Sequence, residues 1–301
     1  MLGASLVIVG AILLAAKGLF AKALYSQGMT YHEVAGIRSV LAIPGFILVA
    51  VISAQHRRKA KPSPVTWWQL AGAAAAGLWC YYLGALANFY ALTLIQANVE
   101  RALLFSYPAI VVFITAVATR TLPSIATLIA LAATTAGVVL VTGAADAALS
   151  AEQWRGVVWV MFCSITIATY FLASGRLTRT MSAASFTLSA MMAAGIAFFL
   201  HMGLLLNQWT LTLPSESLLT MAGLVVFATV LPLFCVAEGI RRIGASRGAL
   251  LSTVGPPATA VMAYFLYGER LSAFQLLGTV LVVGSIALLE WQSSQRRSSP
   301  G

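Results

Sequence analysis

Ten long apolar runs follow one another along the chain, at about 3–24, 33–54, 66–93, 98–118, 124–142, 153–174, 182–206, 217–240, 245–266 and 272–291, with only short polar connections. Each is roughly the 17–25 residues a helix needs to cross a bilayer, the third somewhat longer. Hydrophobicity does not alternate with a helical face, so the pattern predicts spans surrounded by lipid rather than helices docked on a soluble core. Proline sits near the middle of two runs that occupy equivalent places in the two halves: Pro108 in 98–118, and Pro256 with Pro257 in 245–266. A shift of 148 residues lays Pro108 on Pro256, Ile95 on Ile243, Leu103 on Leu251 and Ser124 on Ser272. Five spans per half is an odd number, so the second half must enter the membrane in the opposite sense. The expectation is an all-α membrane protein: ten transmembrane helices forming two inverted-topology five-helix repeats around a central cavity. The repeats are 1–147 and 148–292, with a tail at 293–301.

Composition agrees with that pattern. The 301 residues are 60% hydrophobic and 9% charged, with a mean hydropathy of +0.91, whereas soluble domains carry about 25% charged residues. The formal net charge of +10 would suggest nucleic acid in a soluble protein. Its placement says otherwise. With the N-terminus inside, Arg57, Arg58, Lys59, Lys61, Arg120, Arg176, Arg179, Arg241, Arg242, Arg247, Arg296 and Arg297 all fall on the cytoplasmic side. Lys22, Arg101, Arg155 and Arg270 fall outside. This positive-inside bias predicts both termini in the cytoplasm. The first run has no basic lead and no small-residue cleavage site, so it is expected to remain as a span. Cys80, Cys163 and Cys235 lie inside runs at spacings that suit neither a disulfide framework nor a metal site. No cofactor is expected, and the partners are a small-molecule substrate and membrane lipids, with no nucleic acid; monomer and homodimer stay equally open.

The breaks are the first candidates for chemistry. Pro108 frees the carbonyl of Leu104, and Pro256 and Pro257 free those of Ser252 and Thr253. Ser106, Tyr107, Ser252 and Thr253 add hydroxyls beside them. These groups either receive a polar substrate at the membrane centre or close back on their own backbone. On a regular helix at 100° per residue, Tyr81 and Asn88 share one stripe of the third run with Gly77, Gly84 and Ala91. Trp79, Tyr82, Phe89 and Tyr90 form the opposite stripe. Tyr81, Tyr82 and Trp159 are placed to line a path, whereas Trp67 and Trp68 read as interfacial anchors. Charges inside a span are functional candidates because each costs at least about 2.5–3.5 kcal/mol at mid-helix. Lys17 could attract a carboxylate or snorkel outward, Arg38 reads as structural, and Glu238 pairs with Arg241 and Arg242 at helical spacing. Glu100, Glu216 and Glu269, near outer ends of runs, are accounted for by solvation or helix-start electrostatics. No carboxylate sits at the centre of a span, so a proton relay is not visible, and enzyme and ATP-binding motifs are missing.

The stretch from Ala245 through Pro256 to Tyr267-Gly268-Glu269-Arg270-Leu271-Ser272, then Gln275 and Gly278, resembles the second repeat of the drug/metabolite transporter superfamily, EamA-type exporters. Lys17-Gly18, Lys22, Arg38, Asn88-Phe89-Tyr90-Ala91-Leu92 and Tyr107-Pro108 resemble the first repeat. The turn Thr119-Arg120-Thr121-Leu122-Pro123 departs from it, lacking the Gly-Glu of the second. The resemblance, similar to exporters of aromatic and neutral amino acids, implies an inner-membrane transporter working by alternating access. Spans 1, 3, 4, 6, 8 and 9 would line its path. Multidrug or lipophilic-cation export is the alternative within that fold. A non-transporting assembly or receptor-like protein is the alternative of another class, and it would be expected to carry a larger extramembrane part. Reporter fusions at residues 1 and 301 should both report the cytoplasm; ends on opposite sides would overturn the ten-span topology.

Overall fold

The computed structural model describes residues 2–57, 65–95, 100, 103–104, 106–120, 122–142, 151–207, 209 and 213–255, with 257–258, 261–262, 265, 273–274, 276–278, 280–281 and 284–285 beyond. All regular structure among the described residues is helical. The helices are α1 (Leu2–Ala15), α2 (Lys17–Ser26), α3 (Tyr31–Arg57), α4 (Trp67–Gly77), α5 (Ala85–Leu94), α6 (Tyr107–Thr119), α7 (Ile125–Thr142), α8 (Ala151–Leu177), α9 (Ala183–Leu205), α10 (Leu218–Val225), α11 (Leu231–Ile243) and α12 (Ala245–Leu251). Six stretches are long and apolar enough to cross a membrane: Leu2–Ser26, Tyr31–Ile52, Trp67–Leu94, Trp154–Leu177, Ala183–Leu205 and Ser215–Ile243. Two shorter apolar helices, Tyr107–Thr119 and Thr127–Gly137, accompany them. The ninth predicted span is described continuously over 245–255 and at separate positions beyond, and the tenth at separate positions.

The fourth span differs from its expectation. Glu100, Leu103 and Leu104 are helical and Ser106 is a turn, so a new helix starts at Tyr107 with Pro108 in its first turn rather than one continuous helix being kinked. A missing N–H costs nothing there. At 1.5 Å per residue, α6 is about 20 Å long, too short to cross the hydrocarbon alone. Ala16 breaks the first span between α1 and α2 without a proline. The third and eighth spans each contain a π-helical stretch, Leu78–Gly84 and Val226–Val230. Leu78 and Val226 coincide under the 148-residue shift. In the eighth span the cause is visible. Pro232, in the first turn of α11, disrupts the ladder one turn back, and Thr229 Oγ1 donates to Leu224 O at 2.9 Å across the widened turn.

Small residues set the packing. A Cβ on Gly10 would stand 2.8 Å from Val236 Cγ2, and one on Gly3 would stand 2.8 Å from Arg242 Cβ, so α1 runs antiparallel against α11. In the same way Gly84 faces Thr166 and Gly156 faces Ile95, bringing α8 antiparallel to the third span. First with eighth and third with sixth is therefore one pairing made twice, with the halves exchanged. Gly36 meets Met202 and Gly195 meets Ile43, closing α3 on α9 between the halves. Close approach matters here because lipid tails are as apolar as leucine, so dispersion between backbones drives association.

Phe46, Phe89, Met191, Phe198 and Met221 pack into one buried cluster, and Tyr107, Tyr170, Phe171, Phe186 and Ile240 into a second. The outer surface is apolar as well, with Phe113, Leu204 and Leu219 between 69% and 85% exposed. A skin of that kind suits acyl chains.

Glycine substitutions test this packing. A Cβ at Gly77 would collide with the Ala190 carbonyl oxygen, which is backbone and cannot move aside, whereas at Gly72 it would meet only the Leu177 side chain, at 3.4 Å. Helix propensity favours alanine by about 1 kcal/mol, and overpacking costs about 1–3 kcal/mol or more. Gly77→Ala should therefore lower the thermal midpoint of the detergent-purified protein, and Gly72→Ala should leave it unchanged or raise it.

Candidate functional site

The structure gathers charge where α2, α3 and α5 come together. Lys17 directly follows the Ala16 break, and its Nζ donates to Asn88 Oδ1 at 3.3 Å. Asn88, buried at 2% exposure, donates through Nδ2 to Glu100 Oε1. Glu100 is 5% exposed. The expected solvated glutamate is thus an interior anion, tied to an interior cation through one amide. Both cations face the same ring: Lys17 Nζ lies 5.0 Å from the Phe89 centroid and the Arg38 guanidinium 5.5 Å. Counting helix rise from Gln27, Thr30 and Ile95 puts Lys17, Arg38 and Asn88 about 10–15 Å inside one end of the bundle.

Tyr81 and Tyr82 diverge. Tyr81 stands edge-on to Tyr170 with centroids 4.7 Å apart, and Tyr170 continues to Phe186 at 5.3 Å. Tyr82 turns to α9 instead, with its hydroxyl 3.0 Å from His201 Nδ1 and its ring against Phe198. His201 in turn stacks on His32 at 5.3 Å. Trp159 lies on the outer side of α8, 42% exposed, edge-on to Tyr90 and Phe162. The π-helical stretch offsets the helix faces before it from those after it. An i→i+5 turn holds an extra residue, so the stripes on either side of 78–84 do not align. Phe89, expected opposite Asn88, is fully buried beside it.

The two interrupted spans meet. Tyr107 is buried against Phe171, and its hydroxyl pairs with the Ser252 side chain. Nearer the other end, Ser246 Oγ donates to Thr115 Oγ1 at 3.1 Å. After Leu251 the backbone tightens to a 3₁₀ turn at Ser252–Val254. The hydroxyls here also serve their own backbone: Ser252 Oγ reaches Gly248 O at 2.7 Å, and Thr253 Oγ1 reaches Leu250 O at 2.6 Å. Pro257 is buried, and Pro256 lies outside the described residues. Pro108 is buried in the first turn of α6, and Ser106 Oγ contacts Met161 Sδ at 3.7 Å.

The carbonyl that Pro108 frees is already covered. Ser164 Oγ on α8 lies 3.2 Å from Leu104 O, 3.3 Å from Leu103 O and 3.0 Å from Val160 O, so its single proton is shared among them. Sequence reasoning missed Ser164, because nothing in a lone serine on an apolar run says that it faces a break in another helix. Glu100 was missed because proximity to a span's end resembles exposure. Glu238 behaves as expected: Arg241 Nε and Arg242 Nε donate to it at 2.7 and 2.8 Å.

Two cavities are described. One of about 340 Å³ is lined by Gln27, Gly28, Met29, Glu33, Leu213 and Pro214. Another of about 150 Å³, at the opposite end, lies among Val112, Thr115, Thr119, Leu122 and Ser246. The two buried clusters lie in the interior of the bundle.

Comparison with known proteins puts this arrangement among transporters. The EamA-like transporter family matches the chain twice, at residues 1–143 and 154–291. An uncharacterized transporter of Bacillus subtilis (strain 168), YcbK, is 32% identical over 280 residues, covering 92% of this chain and 88% of its own. A solved crystal structure superposes with a TM-score of 0.77 at 16% identity over 99% of each chain, a likeness of fold alone.

The Lys17–Asn88–Glu100 chain predicts energetic coupling between its ends. Lys17→Met and Glu100→Gln should each lower stability in detergent, and the double variant should lose less than the two combined. Coupling of about 0.5–3 kcal/mol is expected for one network; strict additivity would dissolve it.

Proposed function

The chain belongs to the EamA-like transporter family, and from that premise we propose that it exports small organic metabolites, amino acids (aromatic ones included) first among them. It is a multi-pass membrane protein of a transporter family, not an enzyme. The observation that carries the proposal is the polar network of Lys17, Asn88 and Glu100, held inside a bundle whose outer surface is apolar. Buried charge is costly in a membrane and is retained where a solute must be met.

In this proposal the halves 1–147 and 148–292 are inverted five-helix repeats that rock against each other. The exchanged pairings of first with eighth and third with sixth spans support that reading, as do the π-helical stretches at equivalent positions. Lys17, Tyr81, Asn88, Tyr107, Ser252 and Thr253 line the path, with Ser106, Pro108, Pro256 and Pro257 shaping its breaks and Tyr82 and Trp159 at its margins. Cavities at opposite ends, with the buried clusters in the interior of the bundle, suit a closed stage of an alternating-access cycle. The protein would reside in a bacterial inner membrane with both termini cytoplasmic, by the positive-inside bias.

The site's charge bears on the alternative substrate. Lys17 and Arg38 both face Phe89, while one buried carboxylate, Glu100, stands near them among the described residues. Like charge at low dielectric repels a lipophilic cation strongly, which favours a zwitterion or anion. Counterflow into proteoliposomes should accumulate labelled phenylalanine or neutral amino acids and leave tetraphenylphosphonium outside. The reverse result would replace the amino acid reading with lipophilic-cation export.

A further inference from the structure

Arg38 is the one buried cation in the network that the protein leaves without an anion among the described residues. It is 4% exposed on α3. Its hydrogen bond is a long one, Nη2 to the neighbouring Ser39 Oγ at 3.5 Å, and its Nε has no partner. The carboxylates whose side chains are described lie elsewhere: Glu33 bonds Thr30, Glu100 bonds Asn88, Glu238 bonds Arg241 and Arg242, and Glu216 is exposed. None forms an ion pair with Arg38. The Tyr25 hydroxyl is likewise buried without a hydrogen bond, within electrostatic reach of Arg38 and Glu100.

A buried guanidinium with no counter-ion is expensive, and the Phe89 ring offsets only part of that cost. The edge carrying the unpartnered Nε is informative. Nε and Nη2 form the planar fork that grips a carboxylate through two parallel hydrogen bonds, and lysine cannot reproduce that geometry. Lys17, by contrast, is already engaged with Asn88. The cavity of about 340 Å³ includes Glu33, five residues before Arg38 on α3, and Gln27, two residues after Tyr25. By helix rise Arg38 lies about 7.5 Å deeper than Glu33.

We propose that Arg38 is the carboxylate anchor of the substrate site, its Nε–Nη2 edge holding the anion while the Tyr25 hydroxyl donates a third bond and the Phe89 and Tyr81 rings wall the rest of the solute. This rests on the amino acid reading above and moves the anchor from Lys17 to Arg38. The expected ligand is a monocarboxylate carrying an apolar or aromatic body.

Equilibrium binding tests it apart from transport. Detergent-purified full-length protein is titrated with 3-phenylpropanoate and with 3-phenylpropanamide, and binding is followed by thermal stabilisation. Wild type should bind the acid and not the amide. Arg38→Lys, which keeps the charge and loses the fork, should weaken acid binding at least tenfold while the unliganded midpoint stays near wild type. Tyr25→Phe should weaken it by a smaller factor and serves as the second variant where Arg38→Lys does not fold. Equal affinity for acid and amide, no acid binding, or an acid affinity indifferent to both substitutions would overturn the anchor. Acid binding that depends on Arg38, in a protein that accumulates no amino acid in counterflow, would keep the anchor and discard the amino acid substrate. Amino acid counterflow with acid binding indifferent to Arg38 would do the reverse.

Discussion

Hydrocarbon offers no hydrogen-bond partner, so every backbone irregularity in a spanning helix must be closed by another part of the protein. That constraint organises this bundle. Where the chain turns into α6, the carbonyls of Leu103 and Leu104 are met by Ser164 from α8. Within the π-helical stretch of the eighth span, Thr229 closes the widened turn onto Leu224. At the start of the 3₁₀ turn, Ser252 and Thr253 bond back to Gly248 and Leu250. Each closure uses a small hydroxyl residue, which adds a donor without adding the bulk that would separate the helices.

The spans were legible because their cause is local. Length and apolarity alone place a segment in the bilayer, and helices Trp67–Leu94, Ala183–Leu205 and Ser215–Ile243 fall within a few residues of the runs that announce them. The prolines were legible as breaks but not as geometry. Pro108 marks where a helix begins, and a sequence cannot separate that from a kink when the residues before it are equally apolar. The third span's faces shift across the π-helical stretch at Leu78–Gly84, which has no proline to announce it, and on the regular helix beyond it both Asn88 and Phe89 turn inward. Glu100 was misread for a different reason: burial at the end of a span is a property of neighbouring helices. The pairing of Lys17 with Asn88, 71 residues apart, is likewise tertiary.

The two arginine environments show what the fold does with the same side chain. Arg241 and Arg242 stand at the end of α11, partly exposed, and share Glu238 on the same helix. Sequence spacing predicts that pair, in which the buried Glu238 carboxylate is compensated by two partly exposed guanidinium groups. Arg38 lies inside α3, has no acidic neighbour at helical spacing, and meets an aromatic ring instead. Folding alone gives no reason to hold a cation in that way, since a well-packed apolar side chain would cost less.

Irregular backbone and polar side chains occur together too regularly to be separate features. Lys17 follows the Ala16 break, Asn88 lies four residues beyond the π-helical stretch, Tyr107 opens α6, and Ser252 opens the 3₁₀ turn. A helix that departs from α geometry has already weakened its internal ladder, so it yields first when packed neighbours shift. The groups that would meet a solute are therefore mounted on the parts of the backbone best able to move. The surrounding contacts of α1 with α11, and of α3 with α9, are made by glycines at close range, and interfaces packed that closely transmit strain instead of absorbing it. Stiff pairs joined through compliant breaks supply what a rocking cycle needs: binding at the breaks is felt directly by the joints that must bend.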